Sequence, residues 1–226
     1  MPFSNQFASF LDRQGFRPQR DKSASNETDT TEAGDSADSA FGLAGDCGED
    51  RFFIITGGPG SGKSAIISAL ANRGFPVMTE AGRAVILEQS ESGGQALPWA
   101  DRPAFAELML SRELNSYKEA GNFDGPVFFD RGIPDVAGYL KVCGLAIPDH
   151  ILAAAATCRY AKRVFFAPPW PEIYHQDSER KQSWDEAVAT AIEMVKTYSA
   201  LGYEIHHLPF GPIRERADHI ISWIIR

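Results

Sequence analysis

The sequence of 226 residues contains few cysteines and no long run of apolar residues. Its three cysteines, Cys47, Cys143 and Cys158, form no C-x-x-C pair, which argues against a disulfide framework or a zinc site and is typical of a reducing compartment. The longest apolar run, residues 151–158, is too short to cross a bilayer. The chain also does not begin with the charged-then-apolar order of a signal peptide. We therefore expect a cytoplasmic protein without a membrane span.

Basic residues are scarce relative to acidic ones. The chain carries 22 Lys and Arg against 30 Asp and Glu, which gives a formal net charge of −8. Residues 1–50 hold ten of the acids and four of the bases, so residues 51–226 are close to neutral. A near-neutral body without a basic stripe argues against nucleic-acid binding, although it leaves room for a local positive pocket that binds phosphates.

Composition divides the chain into a polar extension and one domain. Residues 21–50 are mostly Ser, Thr, Asp, Glu and Gly and have almost nothing to bury, which predicts a disordered acidic segment. We therefore interpret residues 1–50 as an N-terminal extension. Residues 51–226 are long enough for a single core and are predicted to form one domain.

Short apolar runs alternate with helical patterns throughout the predicted domain. Strands separated by helices of ten or more residues indicate parallel pairing through crossovers. The pattern therefore predicts an α/β three-layer sandwich around a parallel five-stranded sheet. The predicted strands cover residues 51–56, 75–79, 126–130, 162–167 and 203–208.

The segment GGPGSGKS, residues 57–64, matches the phosphate-loop pattern G-x-x-x-x-G-K-[ST] in full. An apolar strand precedes it and a small-residue helix follows, as the motif requires. Backbone N–H groups at a helix N-terminus bind phosphate, and glycines allow the close approach. Lys63 would bridge the β- and γ-phosphates of a nucleoside triphosphate, and the Ser64 hydroxyl would ligate Mg²⁺. The predicted nucleotide-binding residues are Gly57, Gly58, Pro59, Gly60, Ser61, Gly62, Lys63 and Ser64.

The third predicted strand ends abruptly in charged residues. In P-loop proteins an acid at the end of a neighbouring strand holds Mg²⁺ through its water shell, and Asp130 is our candidate for this acid. A turn or helix-capping acid is the alternative interpretation. Arg131 would clamp the transferred phosphoryl group or an anionic acceptor, unless it only forms an ion pair with Asp135 or Glu80. Asp-Arg directly after a strand resembles an element of thymidylate kinases and deoxynucleoside kinases, in which the pair lies beside the phosphoryl groups and the acceptor.

The second predicted strand supplies candidates for acceptor chemistry. Glu80 follows this strand and is the candidate general base that accepts the proton of an attacking hydroxyl. Arg83, one helical turn later, would steady Glu80 or bind the substrate; an ordinary surface pair on a helix is the alternative for both. Asp135 and Tyr139 are candidate acceptor contacts, with a first-turn helix acid and a core position as their alternatives.

Residues 168–187 are polar, framed by prolines and densely charged. They predict a mobile lid that closes over the triphosphate, excludes water and neutralises charge on the transferring phosphoryl group. Arg180 is the first candidate for the lid cation and Lys181 the second. A solvated charged loop is the alternative interpretation.

The order of these motifs resembles the NadR-type AAA domain family, P-loop proteins related to nicotinamide riboside kinase. The resemblance covers about residues 51–226 and rests on the segments TGGPGSGKS, TEAGR, FFDRGIPDVAGYL, FFAPPWPEIYHQDSER, YSALGYEIHHLP and IRERADHII. It implies a P-loop kinase-like fold with strand order 2-3-1-4-5, binding of ATP or GTP, and dependence on Mg²⁺. It does not imply one substrate.

We therefore expect a phosphotransferase that moves the γ-phosphate of ATP, or alternatively GTP, to a small nucleoside-, riboside- or nucleotide-like acceptor. Lys63, Glu80, Asp130, Arg131 and Arg180 are its predicted catalytic residues. One alternative is a P-loop ATPase or GTPase that acts as a nucleotide-binding switch without a small acceptor. Another is a noncatalytic adaptor that works through the acidic extension. The sequence leaves the acceptor and the oligomeric state open.

Overall fold

The structure is a computed structural model that describes residues 50–174 and 183–224. Within these two ranges, five strands alternate with seven α-helices. The strands are β1 (Phe52–Gly57), β2 (Val77–Met78), β3 (Val127–Asp130), β4 (Arg163–Ala167) and β5 (Glu204–His207). The helices are α1 (Lys63–Ala71), α2 (Ala81–Ser92), α3 (Arg102–Ala120), α4 (Ile133–Val142), α5 (Asp149–Thr157), α6 (Trp184–Ala200) and α7 (Ile213–Ile224). Residues 1–49 of the predicted extension lie outside the described residues.

All five strands are parallel and lie in the order β2-β3-β1-β4-β5. The predicted fold class and strand order are confirmed. In the registers beside the central strand β1, Ile55 pairs with Asp130 of β3, and Gly57 pairs with Ala167 of β4. The carboxyl ends of these strands therefore meet at one edge of the sheet, where parallel α/β sheets bind their ligands.

The sheet is covered on both faces. Successive residues of a strand point to opposite faces, and in β1 Phe52 and Ile54 join one apolar cluster while Phe53 and Ile55 join the other. The first cluster includes side chains of α3, α4, α5 and α6, and the second includes side chains of α1 and α7. This two-sided burial explains why β1 is a continuous apolar run rather than an alternating one.

Local capping sequences define the two longest helices. The Asp101 side chain accepts a hydrogen bond from the Ala104 N–H at 3.0 Å and begins α3. Ser183 and Glu186 form a reciprocal capping box at the start of α6. The capping residues thus define the first turn of α3 and of α6. Among the described residues, every helix falls short of the length and apolar character needed to span a bilayer.

Candidate functional site

Residues 57–64 form a loop that joins β1 to α1 at the carboxyl edge of the sheet. Gly60 and Gly62 have φ angles of 72° and 83°, a left-handed conformation that glycine adopts without a steric penalty. The Ser61 hydroxyl donates to the Gly58 carbonyl at 2.9 Å, so the loop is held by its own atoms. Helix α1 has no acid in its first turn and no side-chain cap. Its first N–H groups therefore lack a side-chain cap, which is the state in which helix N-termini bind anions.

Lys63 is buried beneath this loop. Its Nζ atom donates to the Gly58 carbonyl at 2.6 Å and to the Ser61 Oγ at 3.3 Å. Burial lowers the pKa of Lys63 to about 7, and the nearby Arg131 acts in the same direction. A phosphate bound beside the amine would favour its charged form and reverse this shift.

Ser64 and Asp130, the two residues that the sequence assigns to Mg²⁺, are hydrogen-bonded to each other. The Ser64 hydroxyl donates to Asp130 Oδ2 at 2.9 Å, and Asp130 Oδ1 is buried with no hydrogen-bond partner in the described structure. Burial and the neighbouring Glu80 raise the pKa of Asp130. In the described ranges, no group of three or more His, Cys, Asp and Glu side chains could hold a metal alone. A hydroxyl and an unsatisfied carboxylate oxygen nevertheless fit Mg²⁺, which takes few protein ligands and completes its shell with water and phosphates.

Arg131 connects the phosphate loop to the acids beside it. Its Nε donates to Glu80 Oε1 at 2.8 Å, and its Nη1 donates to the Gly57 carbonyl at 3.1 Å and to Asp135 Oδ1 at 2.9 Å. Although burial opposes the effect, Glu80 and Asp135 raise the pKa of Arg131. Both ion pairs that the sequence offered as alternatives are therefore present together.

The backbone at Arg131 is itself unusual. Among the described non-glycine residues only Arg131 has a positive φ, of 78°. Its N–H donates to the Ile55 carbonyl at 3.1 Å, which extends the pairing of β3 with β1 by one residue. Conformations of this kind cost about 1–3 kcal/mol and persist where the surroundings hold them. Here the three side-chain hydrogen bonds and the sheet bond supply that restraint.

Glu80 is the N-cap residue of α2, and its side chain is 22% exposed. Although burial opposes the effect, Arg131 and Lys63 lower the pKa of Glu80 to about 2, with a further contribution from Arg83. The carboxylate is therefore ionised at neutral pH and can accept a hydrogen bond from a hydroxyl. Arg83 lines the same cavity as Glu80.

Asp135 and Tyr139 occupy α4 at the cavity wall. The two Asp135 oxygens accept hydrogen bonds from Thr56 Oγ1 at 2.7 Å, Tyr198 Oη at 2.6 Å, Arg131 Nη1 at 2.9 Å and the Gly132 N–H at 3.2 Å. Asp135 thus has the geometry of a first-turn helix acid that also fixes Arg131. The half-buried Tyr139 ring packs edge-on against Phe105, with centroids 5.3 Å apart, and faces the cavity.

One cavity of about 1310 Å³ is lined by Lys63, Ser64, Glu80, Arg83, Arg131, Asp135 and Tyr139, whereas Asp130 is not part of its lining. One half follows the phosphate loop, and the other half extends past Glu80 and Arg131 between α2, α3 and α4. The second half is predominantly apolar and aromatic. Its lining includes Ile86, Trp99, Phe105, Met109, Val136 and Tyr139.

A family model described as an AAA domain matches residues 52–216. The chain belongs to this AAA domain family. The match confirms the family predicted from the order of the motifs. No curated protein sequence matches the chain significantly.

Solved kinase structures share the fold of this AAA domain. Deoxyadenosine kinase from M. mycoides aligns with a TM-score of 0.58 at 14% identity over 77% of this chain and 98% of its own. Thymidylate kinase from Candida albicans aligns with a TM-score of 0.59 at 13% identity over 78% of this chain and 92% of its own. NadR in complex with NR aligns with a TM-score of 0.58 at 17% identity over 77% of this chain and 50% of NadR. At these identities the comparisons establish a P-loop kinase fold.

Two charged residues beside the candidate site of this AAA domain were not predicted from the sequence. Arg216 of α7 is 1% exposed, and its Nη1 donates to the Ser61 carbonyl at 3.1 Å. Its Nε and Nη2 have no hydrogen-bond partner in the described ranges, and its guanidinium lies 5.8 Å from the centroid of the Trp170 ring. Burial lowers the pKa of Arg216 to about 10. Position 216 lies four residues before Ile220 on the apolar face of α7, which was the available signal.

The second missed residue is Glu113 of α3, which is 4% exposed and lines the cavity. Burial and the neighbouring Asp135 raise its pKa well above the usual range. Glu113 follows Phe105 and Met109 at intervals of four residues, so it lies on the apolar face of α3. This spacing is the sequence signal that marks Glu113.

The predicted lid is described only at its two ends. Arg180 and Lys181 lie outside the described residues. Before the gap, Tyr174 covers the phosphate loop so closely that a Cβ atom on Gly60 would lie 2.5 Å from its ring. After the gap, the Trp184 ring packs on Tyr174 with centroids 5.3 Å apart. Both ends of the segment therefore lie beside the phosphate loop.

Proposed function

We propose that this AAA domain is a phosphotransferase that moves the γ-phosphate of ATP, with Mg²⁺, to a small nucleoside-, riboside- or nucleotide-like acceptor. The observation that carries the proposal is the continuity of the cavity across the Glu80–Arg131 pair. A phosphate loop alone accounts for a bound triphosphate. A second, apolar half on the far side of an ionised acid and an arginine gives an acceptor a place to bind.

Residues on the nucleotide side would hold the triphosphate. The N-terminus of α1 and Lys63 would bind the β- and γ-phosphates, and Arg216 would add a second buried cation beside the loop. Ser64 and Asp130 would hold Mg²⁺, which neutralises charge on the transferring phosphoryl group when it is bound. GTP is the alternative nucleotide. Deoxyadenosine kinase from M. mycoides, which shares the fold, has been solved with bound dATP.

Residues on the acceptor side would orient the nucleophile. An acceptor oxygen forms the new bond to the γ-phosphorus, the bond from that phosphorus to the β,γ-bridging oxygen breaks, and ADP leaves. When the attacking group is a hydroxyl, its proton passes to the Glu80 carboxylate; a phosphate oxygen of a nucleotide-like acceptor attacks in its ionised form and transfers no proton. Because the pKa of Glu80 is about 2, this carboxylate orients the hydroxyl and takes the proton late, as a loose transition state allows. Arg131 fixes Glu80, and Arg180 stays the predicted lid cation.

The decisive experiment measures ADP release from MgATP and from MgGTP with and without a panel of nucleosides, ribosides and nucleoside monophosphates. Lys63→Ala serves as the blank. Acceleration by one class of compound, together with the phosphorylated product, supports the phosphotransferase. A flat panel with clear triphosphate binding would overturn it in favour of the nucleotide-binding switch.

A further inference from the structure

Glu113 is a buried acid that the proposed transfer of phosphate does not use. Glu113 is 4% exposed and lines the acceptor half of the cavity, and none of the hydrogen bonds and ion pairs of the described ranges involves its side chain. Its carboxyl oxygens are nevertheless not among the fully buried polar atoms that lack a partner, so they keep access to the cavity. Burial elsewhere limits the contacts of this carboxyl group, so a ligand in the cavity can replace the water that hydrates it.

The surroundings of Glu113 restrict what that ligand can be. The charged groups that act on it are Asp135, Arg131, Asp130 and Glu80, three acids and one base. Arg131 already forms ion pairs with both Glu80 and Asp135, so two negative charges face its one positive charge. Arg83 and Arg102 also line the cavity, but the charges that act most strongly on Glu113 are the three acids and Arg131. A phosphate group placed against Glu113 would therefore meet an excess of negative charge. A hydroxyl group, in contrast, can donate to a carboxylate and accept from a carboxylic acid.

The rest of the acceptor half has a different character. Phe105 and Met109 precede Glu113 on the same helix at intervals of four residues, and with Tyr139 they provide apolar and aromatic surface in the cavity. The exposed Arg102 begins this helix, lines the cavity, and donates from its Nε to the Pro98 carbonyl at 3.3 Å. A ligand with a hydroxyl group beside Glu113 and an apolar ring beside Phe105 and Met109 would match this arrangement.

We propose that Glu113 is a specificity residue that binds a hydroxyl group of the acceptor and selects nucleosides or ribosides over nucleoside monophosphates. The proposal rests on the phosphotransferase function proposed above and narrows its acceptor class. Glu113 would bind a hydroxyl next to the one that receives phosphate, and its carboxyl group would disfavour a phosphate in the same place.

The test compares each nucleoside of the panel with its own monophosphate in the wild type, Glu113→Gln and Glu113→Leu. We expect the wild type to prefer the nucleoside by at least about tenfold in kcat/KM. Glu113→Leu should raise the KM for the nucleoside by about 10- to 100-fold, because a buried hydrogen bond to the carboxyl group is lost. Glu113→Gln should recover part of this loss and narrow the preference over the monophosphate, because the amide keeps the hydrogen bond and removes the acid.

Two readouts separate specificity from a structural role. Isothermal titration with ATP should match the wild type in both variants, and Tm should equal or exceed that of the wild type, because burial disfavours the ionised Glu113. A purely structural role would instead lower ATP affinity and Tm together. Glu119→Gln, an exposed acid on the same helix, is the matched control and should change nothing. Preference for a monophosphate, or an unchanged nucleoside KM in Glu113→Leu, overturns this inference while the phosphotransferase stands. If no compound of the panel is phosphorylated, both proposals fall.

Discussion

The Ser64 hydroxyl and the Asp130 carboxylate lie 66 residues apart in sequence and meet at 2.9 Å under the phosphate loop. The parallel pairing of β1 with β3 brings them together, since Asp130 is in register with Ile55, two residues before the loop begins. The other carboxylate oxygen has no hydrogen-bond partner in the described structure. Asp130 thus has one carboxylate oxygen held by the Ser64 hydroxyl and one oxygen without a hydrogen bond.

Asp130→Asn should reduce kcat by about 100-fold or more and raise the Mg²⁺ concentration needed for half-maximal rate, because charge that balances the transferring group is lost. The variant should unfold at the same temperature as the wild type or higher in the absence of nucleotide and metal. The reason is that burial disfavours the ionised acid, as its raised pKa indicates. Thermal unfolding and Mg²⁺ titration of the rate check both parts. Asp124→Asn, an exposed turn residue, is the control, and an unchanged Mg²⁺ requirement in Asp130→Asn would contradict the assignment.

Glu80→Gln should reduce phosphate transfer by about 100-fold or more while ATP affinity stays within twofold. The pKa of about 2 adds a second expectation. Because Glu80 is ionised above that value, it should contribute no acid limb to the pH profile of kcat/KM in the range where the protein is folded. Steady-state rates across pH provide the measurement, with Glu91→Gln on the exposed side of α2 as the control. Normal transfer by Glu80→Gln would exclude it as the base.

Binding of ATP should take up protons above pH 7. In the protein without nucleotide the pKa of Lys63 is about 7, and a bound phosphate raises it. Below pH 7 the amine is already charged before ATP binds. Above pH 7 the amine must gain a proton when ATP binds. Affinity should therefore weaken with rising pH by up to about tenfold per unit until the pKa of the complex is reached. Calorimetry in buffers of different ionisation enthalpy measures this uptake. It should disappear in Lys63→Met and persist in Lys162→Met, whose side chain is 73% exposed in the wild type.

Arg216→Met should weaken ATP binding by about 10- to 100-fold, because a buried cation with two unsatisfied N–H groups beside the phosphate loop is lost. Stability without nucleotide should rise or stay constant, since the same unsatisfied groups are costly in the free protein. Calorimetric titration and thermal unfolding check the two effects. Arg214→Met, with a wild-type side chain that is 88% exposed on the same helix, is the matched control. Equal ATP affinity in the wild type and in Arg216→Met would show that Arg216 does not contribute to ATP binding.

The sequence predicts the sheet well because each strand has a strong local signal and parallel crossovers leave few ways to pair. It also assigns Ser64 and Asp130 to the same Mg²⁺ site, and the structure places them at one edge of the sheet because the ends of neighbouring parallel strands share that edge. Glu113 and Arg216 were not predicted: the spacing of each residue places it on the apolar face of its helix, but spacing alone does not show that this face borders the cavity or the phosphate loop. The positive φ of Arg131 has no local signal either: Gly132 next to it would be the expected site, and tertiary hydrogen bonds decide otherwise.

The hydrogen bond from Arg216 to the Ser61 carbonyl spans 155 residues of sequence. The phosphate loop is therefore synthesised long before α7, the helix that carries Arg216. Since we propose that Arg216 binds the nucleotide, a nascent chain that has folded only β1 to β4 should bind it about 10- to 100-fold more weakly than the complete domain. Tight nucleotide binding is thus expected only after α7 has been made and has packed beside the loop.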